Sequence, residues 1–245
     1  MPGQHKVSEL RRLLALPFDP NRVPRGFGHN LDERLVEYPW LFSRLPAGPG
    51  ELLDAGSVLN HDFILSHEKL QAKKLTIMTL APEGHSFWER GINYVYGDLR
   101  QTYFRDECFD YVVCVSTLEH IGLDNQRFHA SEISETASGS HLAAVREFRR
   151  TLKPGGRCYI TVPFGRKFRG QWHQVFDGAM VDEMVAAFAP ARLTETYFRH
   201  SADVGWQTSS RSASADAVYF DHEVDKPWKG CPAAAEAIVC LELGK

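Results

Sequence analysis

No apolar run in the 245-residue chain approaches the roughly 18 residues that a membrane-spanning helix needs. The opening MPGQHKVSELRR also lacks the apolar stretch of a secretory leader. Together these absences predict a cytoplasmic protein with no membrane span. The formal net charge is only −3, which provides no electrostatic footprint for nucleic acid, so no nucleic-acid partner is expected. Cys108, Cys114, Cys158, Cys231 and Cys240 are scattered with no CxxC pair, which argues against a zinc site or a disulfide framework and for reduced, structural thiols. No HxH or HExxH set demands a metal. Of the GxGxxG expected for a dinucleotide, only Gly56 stands after the first strand-like run, which disfavours NAD. No internal repeat is present.

What remains is an ordinary globular composition, 43% hydrophobic and 24% charged, at a length that suits one large α/β domain. Residues 7–16 (VSELRRLLAL) have the spacing of a short amphipathic helix, and 17–30 are a Pro, Gly and Asn-rich connection. In 31–45, Leu31, Leu35, Tyr38, Leu41, Phe42 and Leu45 recur at helical spacing, with Pro39 expected to kink or break the helix. This region, 1–49, reads as an N-terminal arm and helical cap, with Tyr38 and Trp40 either packed or roofing a ligand. Over 50–245, the runs ELLDAG, KKLTIMTL, NYVYGD, FDYVVCVS and RCYITVPF alternate with helical stretches. That alternation predicts βαβ units in a doubly wound, mainly parallel sheet. LAAVREFRRTLKPGG is a helix expected to stop at Lys153–Gly156, GAMVDEMVAAFAP another, and RLTETYFRH and EAIVCLELGK are late strands. The polar run 129–140 fits either a mobile loop or a lid over substrate. A long polar, aromatic-studded insertion separates the last two of these strands.

FDYVVCVS is continuously apolar, as a strand covered on both faces should be, and then ends in TLEHI. In an open α/β sheet the crevice for ligands lies beyond the carboxyl ends of the strands. Glu119 and His120 are therefore candidates to face a ligand.

The order LLDAGS, YGD, FRDECFDYVVCVSTLEHI and FRRTLKPGGRCYITVPFG resembles class I S-adenosylmethionine-dependent methyltransferases over about residues 50–245. The resemblance implies a seven-stranded sheet whose last strand, AEAIVCLELGK, is antiparallel beside the sixth. LDAGSVLNH, STLEHIG, VPFG and the preceding EYPW helix look closest to bacterial polysaccharide and sugar-modifying members. By that resemblance Asp54, Gly56 and Ser57 wrap the methionine part of S-adenosyl-L-methionine, though Leu59 and Asn60 stand where the family has further glycines. Glu83 is the nearest carboxylate for the ribose hydroxyls, with a solvated loop charge as its other reading. Asp98 matches the acceptor for the adenine amino group, with Leu99 beside it, or else caps a turn. Ser116 flanks the methionine moiety.

His120 suits a base that takes the proton of an attacking hydroxyl, or else packs structurally. Glu119 would orient His120, or serve as a first-turn carboxylate. His173, in FGRKFRGQWHQVFD, is the second candidate base; Arg166, Trp172 and Asp177 could reach the same mouth, unless Asp177 simply caps the following helix. His61 and Asp62 could face the cofactor or the arm. The implied reaction is methyl transfer to a small polar acceptor such as a sugar hydroxyl, with no metal required. A small-molecule O- or N-methyltransferase of secondary metabolism, or a non-catalytic cofactor-binding module of the same fold, stays open.

Overall fold

The computed structural model describes residues 2–124, 139–220 and 234–245. Most of the polar run 129–140, and residues 221–233 of the late insertion, lie outside the described residues. The five apolar runs form β1 (Gly50–Ala55), β2 (Lys73–Thr79), β3 (Asn93–Tyr96), β4 (Phe109–Val115) and β5 (Leu152–Pro163). A two-stranded hairpin, β6 (Phe168–Arg169) and β7 (Gln174–Val175), follows, then β8 (Arg192–Ser201), β9 (Gly205–Ser209) and β10 (Ala237–Gly244). The main sheet has eight strands in the order β3-β2-β1-β4-β5-β10-β8-β9. Strands β1 to β5 pair in parallel, and β10 runs antiparallel between β5 and β8.

The expected seven strands are all present. The eighth is β9, which pairs antiparallel on the edge of β8. Its sequence, GWQTS, carries little strand periodicity; it is held by the N-terminal connection. Trp206 N donates to the carbonyl of Phe27 at 2.8 Å, and its indole N–H to that of Leu31 at 3.1 Å.

Helices cover both faces. Helix α1 (Pro2–Leu14), α2 (Arg34–Arg44) and the short α3 (Asp62–Leu65) and α4 (Glu68–Gln71) lie on one; α5 (Ser140–Thr151) and α6 (Gly178–Phe188) lie on the other. Alternation along the strands divides the core between them. Val113 and Val115 join a cluster with Leu10, Leu35, Trp40 and Leu41, whereas Val112 and Cys114 join Val145, Phe148, Val181 and Met184. Each fully buried large apolar side chain of this kind contributes about 1.5–3 kcal/mol.

The region read as an arm and cap thus supplies part of the core, with Leu10 and Leu13 buried in it. Tyr38 and Trp40 are packed there as well: the Tyr38 hydroxyl donates to the carbonyl of Val58, and Trp40 meets the Tyr159 ring edge-on. Helix α2 is not broken at Pro39. It continues because every residue from Leu35 to Phe42 is buried, so packing outweighs the one backbone bond that proline removes. Helix α5 stops at Thr151, two residues before the expected Lys153, and Leu152 already begins β5. Asp177 does cap α6: its Oδ1 accepts from Met180 N at 2.9 Å.

Candidate functional site

Strand order reverses between β1 and β4, and a crevice opens there beyond the carboxyl ends of the parallel strands. It encloses about 560 Å³, enough for a nucleoside-sized ligand. Its walls are the residues that follow each strand: Gly56 and Ser57 after β1, residues 79–85 after β2, 97–100 after β3, and Ser116, Thr117, His120, Ile121 and Gly122 around the end of β4.

The β1 turn is tightly specified. Gly56 has φ +119, and a Cβ there would lie 2.1 Å from Thr117 Oγ1, so both conformation and space require glycine. Ser57 (φ 67) and Ser116 (φ 41) are non-glycine residues in the left-handed region, and both line the cavity. Such strain, of order 1–3 kcal/mol per residue, persists where surrounding contacts over-determine it. Among the described residues the buried Ser57 hydroxyl has no partner, a polar group the cavity leaves for a ligand. Beneath the turn, Asp54 Oδ2 accepts from Leu59 N at 2.8 Å. Burial pushes its carboxyl up to about 7, against the opposing pull of the Leu59 and Val58 amides.

Glu83 stands on the wall after β2. Asn60 Nδ2 donates to its Oε2 at 2.7 Å, while Asn60 Oδ1 accepts from the Tyr94 hydroxyl at 2.9 Å. Asn60 occupies a position where the family pattern has glycine, and its amide orients the carboxylate. Asp98, after β3, is engaged by Arg100 through the backbone N–H at 2.8 Å and the guanidinium. Burial alone would raise the Asp98 carboxyl, but the Arg100 bonds and charge hold it below its ordinary value. Leu80, Ala81, Pro82 and Leu99 provide apolar surface between these two carboxylates.

His120 lines the same cavity, and its Nδ1 lies 2.8 Å from the Trp172 carbonyl oxygen. A carbonyl can only accept, so Nδ1 carries a proton, and in the neutral ring Nε2 is the basic nitrogen. Trp172 stacks on the imidazole with ring centroids 5.4 Å apart.

Eight of the residues singled out in the sequence therefore share one cavity: Gly56, Ser57, His61, Glu83, Asp98, Leu99, Ser116 and His120. Asp54, Glu119 and His173 are off its wall. Glu119, 4% exposed, points into the protein with Oε2 unpartnered, and burial pushes its carboxyl up to about 8. It does not face the crevice because the single turn after β4 presents His120 outward and turns its neighbour inward. His173 is 1% exposed, packed against Tyr219 and Trp172 at 4.0 and 4.4 Å between ring centroids. His61 lines the cavity; Asp62 instead pairs with Arg90.

The structure adds two residues from α2. Glu37, 0% exposed, accepts from Ser116 Oγ at 2.7 Å and Thr161 Oγ1 at 2.6 Å, and pairs with Arg34, which reaches the cavity. The only trace of this in the sequence is an Arg and a Glu three apart on a helix face that is otherwise apolar, a spacing that ordinarily marks an exposed pair.

Residues 65–160 match the family of methyltransferase domains. Among solved structures, the fold is similar to a S-adenosylmethionine-dependent methyltransferase of Thermotoga maritima described as a possible histamine N-methyltransferase. The two are 12% identical with a TM-score of 0.52, over 86% of this chain and 88% of that one. A putative methyltransferase of Bacillus halodurans is 14% identical, with a TM-score of 0.51 over 85% and 98% of the two chains. The Burkholderia thailandensis 1,6-didemethyltoxoflavin N1-methyltransferase, solved with that substrate and S-adenosylhomocysteine, is 14% identical with a TM-score of 0.50 over 99% and 80%. No curated protein sequence matches the chain significantly. The architecture is the Rossmann-like fold of these methyltransferases, and residues 65–160 within it match a methyltransferase domain.

Proposed function

We propose that the protein transfers the methyl group of S-adenosyl-L-methionine to a hydroxyl of a small polar acceptor, a sugar or glycan precursor. The observation that carries this reading is one cavity whose lining brings Glu83, Asp98 and His120 together. The residues present fit the donor: the Ser57 hydroxyl is an orphaned buried donor, Arg34 is a cation for a carboxylate, and the Gly56 turn brings backbone close.

Bound there, S-adenosylmethionine supplies a sulfonium methyl already activated for displacement. Gly56, Ser57 and Arg34 hold the amino-acid end, with Asp54 securing the loop from below and Ser116 flanking it. Glu83, oriented by Asn60, accepts from the ribose hydroxyls. Asp98 exchanges one of its Arg100 bonds for the adenine amino group, and Leu99 packs beside the base. His120 Nε2 receives the acceptor's hydroxyl proton, while its Nδ1–H remains on the Trp172 carbonyl. Glu119 and His173 support this end from within: Glu119 packs under the turn that carries His120, and His173 backs Trp172. Positioning and proton removal are then the protein's main contributions to rate.

Calorimetry with S-adenosylmethionine and S-adenosylhomocysteine tests the donor site, and a screen of sugars and sugar nucleotides read as S-adenosylhomocysteine release tests the acceptor. Failure of the folded protein to bind either donor form overturns the reading.

A further inference from the structure

After β5 the chain reads GRKFRGQW and folds back as the β6–β7 hairpin. Arg166, Lys167 and Arg169 on this hairpin are exposed, and none makes an ion pair among the described residues. The neighbouring acids are committed elsewhere: Asp216 pairs with Arg199 at 2.7 Å, and Asp177 caps α6. Three cations within four positions thus stand together on a chain whose net charge is −3. They repel one another, so their placement together is what needs a cause.

Arg169 stands at the cavity mouth. Arg169 Nη2 donates to the carbonyl of Gly122, a residue of the cavity wall, at 3.2 Å. Two residues further along the tip, Asp124 N donates to the Gln171 carbonyl at 3.0 Å, and the Trp172 carbonyl holds His120. The same hairpin that fixes the tautomer of His120 therefore carries this cluster of positive charge. Phe168, 47% exposed between Lys167 and Arg169, adds an open aromatic face.

We infer that this hairpin is the anion-binding arm of the acceptor site, and that the acceptor carries a phosphate or diphosphate group. The inference rests on the methyl-transfer reading for what happens at the hydroxyl, but not for the binding of the anion. Arginine forks suit phosphate oxygens in pairs, and Lys167 adds a point charge. An acceptor tethered by its phosphates at the hairpin presents a hydroxyl inward, toward His120 Nε2, while Phe168 covers a flat part of the molecule.

The test is a titration of pyrophosphate into the full chain, with and without saturating S-adenosylhomocysteine, beside a parallel titration of acetate. Wild type is expected to bind pyrophosphate, with affinity falling as salt rises, and to bind acetate at least tenfold more weakly. The combined variant Arg166→Gln, Lys167→Gln, Arg169→Gln should bind pyrophosphate at least tenfold more weakly while its S-adenosylhomocysteine affinity is unchanged. Lys167→Glu, which leaves the Arg169 bond to Gly122 in place, should weaken pyrophosphate binding in the same direction and guards against a folding artefact in the combined variant. Pyrophosphate bound equally by wild type and both variants, bound by neither, or bound no better than acetate overturns the inference. Loss of S-adenosylhomocysteine binding with hairpin-dependent pyrophosphate binding intact would instead sink the methyl-transfer reading and leave the anion arm standing.

Discussion

The two ends of the cavity are built in different ways. The end assigned to the donor is made of residues that immediately follow β1, β2 and β3, each delivered by its own strand. The rest of the site, with Arg34 and Ser116 toward the donor and His120 toward the acceptor, is assembled from α2, the turn after β4 and the β6–β7 hairpin, the first and last of which lie more than a hundred positions apart. A wall made of strand ends is positioned by the sheet ladder and tolerates loss of one side chain. A wall made of distant segments depends on the bonds between them: His120 on Trp172, Ser116 and Thr161 on Glu37. Variants should therefore separate into those that cost affinity at the first end and those that cost chemistry or stability at the second.

The largest separation is expected at His120. His120→Ala should lower turnover by roughly 10²–10⁴ with S-adenosylhomocysteine affinity little changed. His173→Ala, at a packed site off the cavity, should lower thermal stability more than turnover. Turnover lost in the His173 variant and kept in the His120 variant would move the base to His173. Next, Glu37→Ala strands Arg34 beside the cavity and leaves two hydroxyls without their acceptor. It should cost about 3 kcal/mol of unfolding free energy, read by chemical denaturation. An effect below about 0.5 kcal/mol would mean that the α2 bridge is not structural.

At the donor end Asp98→Ala should weaken S-adenosylhomocysteine by on the order of 1–3 kcal/mol, because an adenine donor is left unpaired. Unchanged calorimetric affinity in the folded variant rejects that assignment. Glu119 sharpens the comparison through pH. Its folded carboxyl holds a proton up to about 8, whereas in the unfolded chain it loses it near the ordinary 4.5. Stability from this group is therefore complete below pH 4.5 and is lost as pH rises to about 8. Glu119→Gln removes the titration, so the difference in unfolding free energy between variant and wild type should move in the variant's favour across that window. Parallel curves would show Glu119 to be solvated. The smallest effect belongs to Asp177→Ala, about 1 kcal/mol of stability from a lost helix cap, with cofactor affinity intact.

Much of the donor end was legible because its signals are local. LLDAGS places a glycine where a strand must turn sharply, and a buried acid two residues earlier ties down the loop. YGD puts Asp98 just past a strand end, and any carboxylate there meets the crevice of a parallel sheet. At the acceptor end His120 was legible by the same rule, but its neighbour was not. Whether Glu119 faced the ligand depended on the direction of one turn, which residue types do not encode. Arg34 and Glu37 were hidden for another reason: an i, i+3 ion pair in a helix reads as surface decoration until the helix is seen buried on both sides of it.

The sequence by itself determined the order and class of the elements, since apolar runs of strand length alternating with amphipathic helices admit few arrangements other than a doubly wound sheet. It also determined the glycine turn, the α6 cap and the charge of the hairpin. Tertiary structure alone decided that α2 would run through Pro39, that the N-terminal region would cover one face of the sheet, that β9 would pair on its edge, and that the cationic hairpin would dock at Gly122 and His120. These depend on contacts between residues far apart in the chain, where burial and long-range hydrogen bonds outweigh local propensity and periodicity carries no information about the partner.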